Sequence, residues 1–456
     1  RVGPWAYALS LAIYCTSWTY YGAVGTAARN GWEYLPIYLG PIIGIVVLFT
    51  IWRRIAAAAK RENAGSIADF ISSRYGKSQG LGALVAGVAI VGSIPYIALQ
   101  LKSMSMAWAL VTAGTSIAGS ERLTVSVIAV ALAGFTILFG ARRPDLTEHN
   151  RGLIRAVAVE SIVKLAALVA VAIFAIILLL GAPEPVEIQR ALGKLAAPPE
   201  IDARFIAILL VSTLAIFCLP RQFHVGFVEA AAPDDIRCAR WVFPLYLVVT
   251  SLAVLPLVAA GAVFSGISNP DLLVLDIPFH QGARALTAVV FVGGFSAATA
   301  MVIVETVALS AMASNSLILP LLARERWRRR EDSSDFARTI LQVRRIVICA
   351  ILLLAWLYFQ AIDRASGLAS IGLTSFAALA QLAPALFGAV LWRGGNARGA
   401  VAGIVCGVAV WLVLLALPQL GATLGGGAIR PFGLADALPV AVFLSIGLNT
   451  IVFVLV

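Results

Sequence analysis

The stretch FIAILLVSTLAIFCLPRQFH, residues 205–224, decides how this chain is read. An apolar run opens at Phe205 and is cut short by Leu219-Pro220-Arg221-Gln222-Phe223-His224. It is shorter than the roughly 20 residues a helix needs to cross the hydrocarbon layer. Proline removes a backbone donor and breaks the helix there. A short or interrupted span in corresponding places of two halves points to an inverted-repeat transporter, whose binding site lies where the broken helices meet.

A second such segment opens the chain: Tyr14-Cys15-Thr16-Ser17-Trp18-Thr19-Tyr20-Tyr21-Gly22. Hydroxyls and aromatics in mid-span are poor lipid-facing material and suit a helix that unwinds to offer carbonyls and side chains to a solute. An interfacial aromatic belt is the alternative, and it fits Tyr20 and Tyr21 better than Tyr14 to Ser17. These two segments are the first and sixth apolar spans. They lie five apart, as two five-helix repeats require.

Composition sets both in a membrane. Of the 456 residues 61% are hydrophobic and only 12% charged, with a mean hydropathy of +0.94. A soluble protein needs about 25% charged residues, so lipid must cover much of this surface. Twelve apolar stretches are expected to span: 5–24, 34–52, 81–112, 123–140, 152–180, 204–219, 241–264, 284–314, 345–363, 367–392, 399–418 and 437–456. Uninterrupted apolar runs exclude a barrel, whose strands alternate lipid-facing and lumen-facing residues. No hydrophilic block divides the chain, so 1–456 reads as one integral domain.

Basic residues fall in alternate loops. Arg53, Arg54, Lys60, Arg61, Arg74 and Lys77 form one group, Arg142, Arg143 and Arg151 the next, then Arg221, Arg237 and Arg240. The densest runs from Arg324 to Arg345, followed by Arg393 and Arg398, whereas the 265–283 loop holds Asp271 and Asp276 and no Lys or Arg. The positive-inside rule places the basic loops and both termini in the cytoplasm. Topology thus accounts for the net charge of +11, and no nucleic-acid partner is needed.

Enzyme signals are absent. His149, His224 and His280 have no ligand spacing with Cys15, Cys218, Cys238, Cys349 or Cys406, and no Cys-x-x-Cys pair or phosphate-binding Gly-rich loop occurs. Gly425–Gly427 reads as a flexible outward connection. Lys102, Arg155, Glu160, Lys164 and Glu305 lie inside spans, where each charge costs about 2.5–3.5 kcal/mol at a helix centre and calls for a partner or a wet cavity. Glu160 and Lys164, four apart, can neutralise each other; Lys102 and Glu305 have no such neighbour. These four are candidates for a proton or charge relay. Gly293-Gly294-Phe295-Ser296-Ala297-Ala298-Thr299-Ala300-Met301 combines small residues with hydroxyls, suited to close packing or to ion ligation.

The cytoplasmic Ser66-Ile67-Ala68-Asp69-Phe70-Ile71-Ser72-Ser73-Arg74-Tyr75-Gly76, together with Trp18 and Gly22, resembles the sodium/solute symporter family. Several stretches look closer to a subgroup, the symporter-like membrane input domains of bacterial sensor histidine kinases (CbrA type). They are Tyr14–Thr19, Pro95–Lys102, Thr147-Glu148-His149, Glu160–Leu165 and Leu219–His224. The resemblance implies an all-α, LeuT-like five-plus-five inverted-repeat bundle: a ten-helix core over 1–392 and two additional helices over 393–456. It also implies a helix before Arg1 and a kinase after Val456.

In the family, sodium sits between helix 1 and helix 8. The resemblance carries its helix 1 carbonyls onto Ala12 and Cys15 and its helix 8 ligands onto Ser296, Thr299 and Ala300. Ala300 stands where a second hydroxyl is usual, and Tyr14 replaces a helix 1 aspartate of the proline-type members. These departures count against sodium dependence and leave protons as the alternative coupling ion.

Tyr14, Thr16, Ser17, Trp18, Gln100 and Phe217 are the expected substrate contacts. The expected function is to bind, and carry by alternating access, a small organic nutrient of the amino-acid kind in the bacterial inner (cytoplasmic) membrane. The domain would feed a cytoplasmic kinase in cis and, through it, a response regulator. An independent ion-coupled symporter and a non-transporting nutrient receptor are the other readings. No cofactor and no metal beyond sodium is expected.

Overall fold

A computed structural model describes residues 3–113, 120–140, 151–181, 195, 197–230, 233–264, 269–320, 333–362, 367–421 and 436–456. Thr147–His149, Arg142, Arg143, the Arg324–Arg330 cluster and Gly425–Gly427 lie outside them. Each of the twelve apolar stretches is helical. They are α1 (4–30), α2 (36–61), α3 (Gln79–Ala113), α4 (Ser120–Gly140), α5 (Arg151–Leu180), α6 (203–228), α7 (Pro233–Phe264), α8 (284–318), α9 (Ser333–Ala361), α10 (368–391), α11 (397–421) and α12 (Leu438–Leu455). Eight are unbroken and apolar enough to cross a membrane, and α2 and α6 are bent pairs.

The distribution of polarity is that of a protein in lipid. Val127, Val130, Ile177, Leu353 and Leu444 face outward, while Ser17, Gln100, Lys164, Arg221 and Glu305 are buried. Buried charges persist inside a membrane only when paired or bonded to backbone, so each of these has to find its partner within the bundle. The chain is a multi-pass membrane protein.

The breaks in α1 and α6 have local causes. In α6, Asp202 caps the first limb by accepting from the Phe205 N–H at 2.7 Å. Leu219 then turns extended (φ −63°, ψ 128°), because a residue before proline is driven out of the helical region. Pro220 starts the second limb, 52° from the first, at the one helical position where a missing N–H costs nothing. In α1, Cys15 is likewise extended (φ −78°, ψ 103°) with no proline to force it. The Thr16 and Ser17 side chains bond across to α3 at this point.

Several boundaries differ from expectation. The second span was expected over 34–52, but it bends by 72° at Leu48, and Phe49–Arg61 leaves at that angle. Arg237, Cys238 and Arg240 were expected in a loop and lie on the first turns of α7. The 265–283 loop contains a short helix, Leu273–His280. Arg155, expected inside the membrane, is exposed near the start of α5.

In the core, α1 packs on α5 and α7, α6 on α2, and α3 on α8, α9 and α10. The two additional helices pair with each other. Gly399, Gly403 and Gly407 of α11 meet Phe453 and Asn449 of α12 so closely that an added Cβ at Gly403 would lie 2.7 Å from the Asn449 carbonyl. This is small-residue packing of membrane helices. Asn449 Nδ2 donates to the Gln381 carbonyl of α10 at 2.8 Å, tying the pair to the core.

Candidate functional site

The limbs of the two broken helices are stitched together. Gln222 Nε2 donates to the Leu11 carbonyl at 3.2 Å, and the Tyr7 hydroxyl to the Gly226 carbonyl at 2.7 Å. Beyond the α1 break, the Thr16 hydroxyl lies 2.8 Å from that of Tyr96. Ser17 donates its hydroxyl (2.6 Å) and its N–H (3.2 Å) to Gln100 Oε1. Trp18 packs edge-on against Phe376 at 4.9 Å and Tyr96 at 6.0 Å, and Tyr14 reaches the same Phe376 ring at 6.0 Å. Five of the six expected substrate contacts therefore gather around one aromatic cluster. The sixth does not: Phe217 packs with Trp52 (5.4 Å) and Phe387 (5.2 Å).

Arg221 corrects the reading of this region. It was counted among the basic residues of a cytoplasmic loop, yet it is fully buried at the α6 break. Its guanidinium lies over the Tyr96 ring, 4.6 Å from the centroid. Its Nη1 (3.2 Å) and N–H (3.3 Å) both donate to Glu305 Oε2, while Glu305 Oε1 accepts from Ser93 at 2.6 Å. Glu305 thus has a counter-charge from another helix. Arg221 Nε and Nη2 and Gln222 Oε1 have no hydrogen-bond partner among the described residues. A mid-span Glu305 with no basic neighbour on its own helix was the available signal, and a broken half-helix was a place to look for its partner.

The Glu160–Lys164 pair forms as expected, at 3.1 Å, but it is only part of the arrangement. Lys164 Nζ also donates to the Ala12 carbonyl at 2.9 Å and the Cys15 carbonyl at 2.7 Å. These are the two carbonyls onto which the resemblance carried sodium. The helix 8 ligands do not complete a shell. Thr299 Oγ1 donates to the Ser296 carbonyl of its own helix, Ala300 has no side-chain oxygen, and the buried face of α8 is Ala297, Ala298 and Met301. In this arrangement the Lys164 ammonium holds the two helix 1 carbonyls, and Ala300 brings no side-chain oxygen. Ser296, Thr299 and Ala300 instead line, with Glu160 and Met104, a groove of about 810 Å³ between α3, α4, α5 and α8. Lys102 is buried on α3.

Gly293 and Gly294 serve packing. A Cβ at Gly294 would sit 2.0 Å from the Tyr21 hydroxyl, and one at Gly293 2.7 Å from Ala167 Cβ. Among the described residues no cluster of His, Cys, Asp and Glu could hold a metal ion.

No protein-family model matches the chain. An uncharacterized symporter of Bacillus subtilis (strain 168), YodF, is 24% identical over 407 residues, covering 88% of this chain and 77% of that one. Among solved structures, a Na+-coupled sialic acid symporter in a substrate-bound outward-open state superposes with a TM-score of 0.68 at 14% identity, over 100% of this chain and 90% of that one. MhsT in complex with L-phenylalanine gives 0.57 at 13% identity, over 100% and 98%. The fold is LeuT-like. At the centre of this bundle the two broken helices bring together Thr16, Trp18, Tyr96 and Arg221.

Proposed function

We propose that this chain is a membrane carrier that binds a small carboxylate-bearing nutrient, of the amino-acid class, between broken helices α1 and α6 and moves it by alternating access. The observation that carries this reading is Arg221. A buried guanidinium, with Nε and Nη2 unpartnered among the described residues, stands at the start of a half-helix, whose N-terminal end carries positive partial charge. Half-helix N-termini pointed at anionic substrate groups are the recurring device of such carriers. The cluster of Trp18, Tyr96 and Phe376 supplies an apolar wall beside it. The symporter name of the Bacillus relative agrees with transport. The bacterial inner membrane is the matching location.

The test is a thermal-shift screen of amino acids and small organic acids on the purified protein, followed by uptake of the best binder into proteoliposomes. A carboxylic acid that binds saturably, is taken up, and loses tenfold or more in affinity on esterification is the expected result. Saturable binding without uptake would make the domain a receptor. Hits confined to solutes without a carboxylate would remove Arg221 from the site.

We propose a further role, in which occupancy of this site is passed to a cytoplasmic kinase in cis; what supports it is the resemblance of Tyr14–Thr19, Pro95–Lys102 and Leu219–His224 to sensor-kinase input domains. Sequencing the reading frame past Val456 checks it: a histidine kinase core is expected there, and a stop codon leaves the plain carrier.

A further inference from the structure

The cradle at the α1 break already contains a cation. An ammonium has three donors and no acceptor. Among the described residues, Lys164 places its three on the Ala12 carbonyl, the Cys15 carbonyl and Glu160 Oε2, at 2.7–3.1 Å. The side chain is only 4% exposed. It comes from the middle of α5, a continuous helix, whereas the carbonyls come from the unwound turn of α1. Each feature matches what a bound monovalent ion would need there: oxygens from a broken helix, burial, and one nearby negative charge.

We infer that the Lys164 ammonium is a tethered substitute for a bound sodium ion, holding α1 to α5 where a free ion would otherwise bridge them. The charge balance supports this. Lys164 and Glu160 sum to zero, so an added sodium would leave a net positive charge inside the membrane, in contact with another cation. Charges in that setting persist only when compensated. Geometry agrees, since both α1 carbonyls already accept from the Lys164 ammonium. Only the functional consequence, solute movement indifferent to sodium, rests on the carrier reading. Occupancy of the cradle is tested without any solute.

The experiment measures equilibrium binding of ²²Na⁺ to the full chain in lipid nanodiscs, and its thermal unfolding in sodium chloride against choline chloride at equal ionic strength. The wild-type protein should bind no stoichiometric ²²Na⁺ and unfold at the same temperature in both salts. Lys164→Ala should open the cradle, leaving Glu160 and two carbonyls for a free ion, so that its unfolding temperature climbs with sodium concentration as mass action requires. One sodium bound per wild-type chain would overturn the inference. A folded Lys164→Ala protein indifferent to sodium would overturn it too, because the lysine would then be a structural strut and not a cation surrogate. If Lys164→Ala does not fold, the wild-type ²²Na⁺ measurement decides alone.

Discussion

Neutralising Glu305 tests whether the centre of the bundle is organised around one buried ion pair. Glu305→Gln keeps the shape and one carbonyl oxygen, so Ser93 still has an acceptor, but it removes the counter-charge that Arg221 has among the described residues. Both side chains are fully buried, and breaking such a pair by removing one partner costs about 3–5 kcal/mol. The Tyr96 ring beneath the guanidinium remains and offsets part of that, about 0.5–2 kcal/mol for a cation over an aromatic face. The net loss expected is about 2–4 kcal/mol, a large fraction of the roughly 5–15 kcal/mol that holds a typical fold together. Replacing both residues, Arg221→Met with Glu305→Met, should recover most of it, since apolar pairs often equal buried ion pairs. The assay is denaturation in mixed micelles for the wild type, Glu305→Gln, the single variants Arg221→Met and Glu305→Met, and the double Met variant. A coupling energy below about 0.5 kcal/mol would mean that the two sites are independent and would refute the reasoning.

Gly372→Ala would set a Cβ 2.4 Å from Trp18 Cε3, against an indole already held by Phe376 and Tyr96. Overpacking of that kind costs about 1–3 kcal/mol, and solute affinity should fall with it; unchanged melting and binding would show that the ring can move aside. Cys238, half-buried at the start of α7, should react in a Cys238-only variant with a membrane-impermeant thiol reagent in inside-out vesicles and stay unlabelled in intact cells. The reverse pattern would invert the bundle. Asn449→Leu removes the donor to the Gln381 carbonyl and should lower stability by about 1–3 kcal/mol through the acceptor it strands, read as earlier loss of the α11–α12 pair in limited proteolysis.

Most spans were legible because hydropathy reports the solvent; among the described residues eight helices and two bent pairs are long and apolar enough to cross. The α6 break was legible because Pro220 causes it directly. The bend at Leu48 was not, since Phe49-Thr50-Ile51-Trp52 continues the apolar run without a glycine or proline to mark the turn. Arg221 was misplaced because the positive-inside rule counts charges near a span end and is blind to whether they point into the protein. Lys164 was half-read. Its partner four residues away satisfied the local accounting, and the two carbonyls 149 and 152 residues distant in sequence could be reached only through the fold. The polar and aromatic cluster at the α1 break was legible because hydroxyls and aromatics are out of place in mid-membrane; Phe376, which joins it through the fold, reads in the sequence as an ordinary apolar-span residue.

A covalently fastened charge performs no electrical or osmotic work. When helices rearrange around a free ion, that ion can leave on the other side and surrender the energy of its gradient. The ammonium of Lys164 goes nowhere, however far α1 and α5 move apart. On the inference drawn for Lys164, an inward sodium gradient does no work at this cradle, and any accumulation of solute has to draw on another ion, protons included.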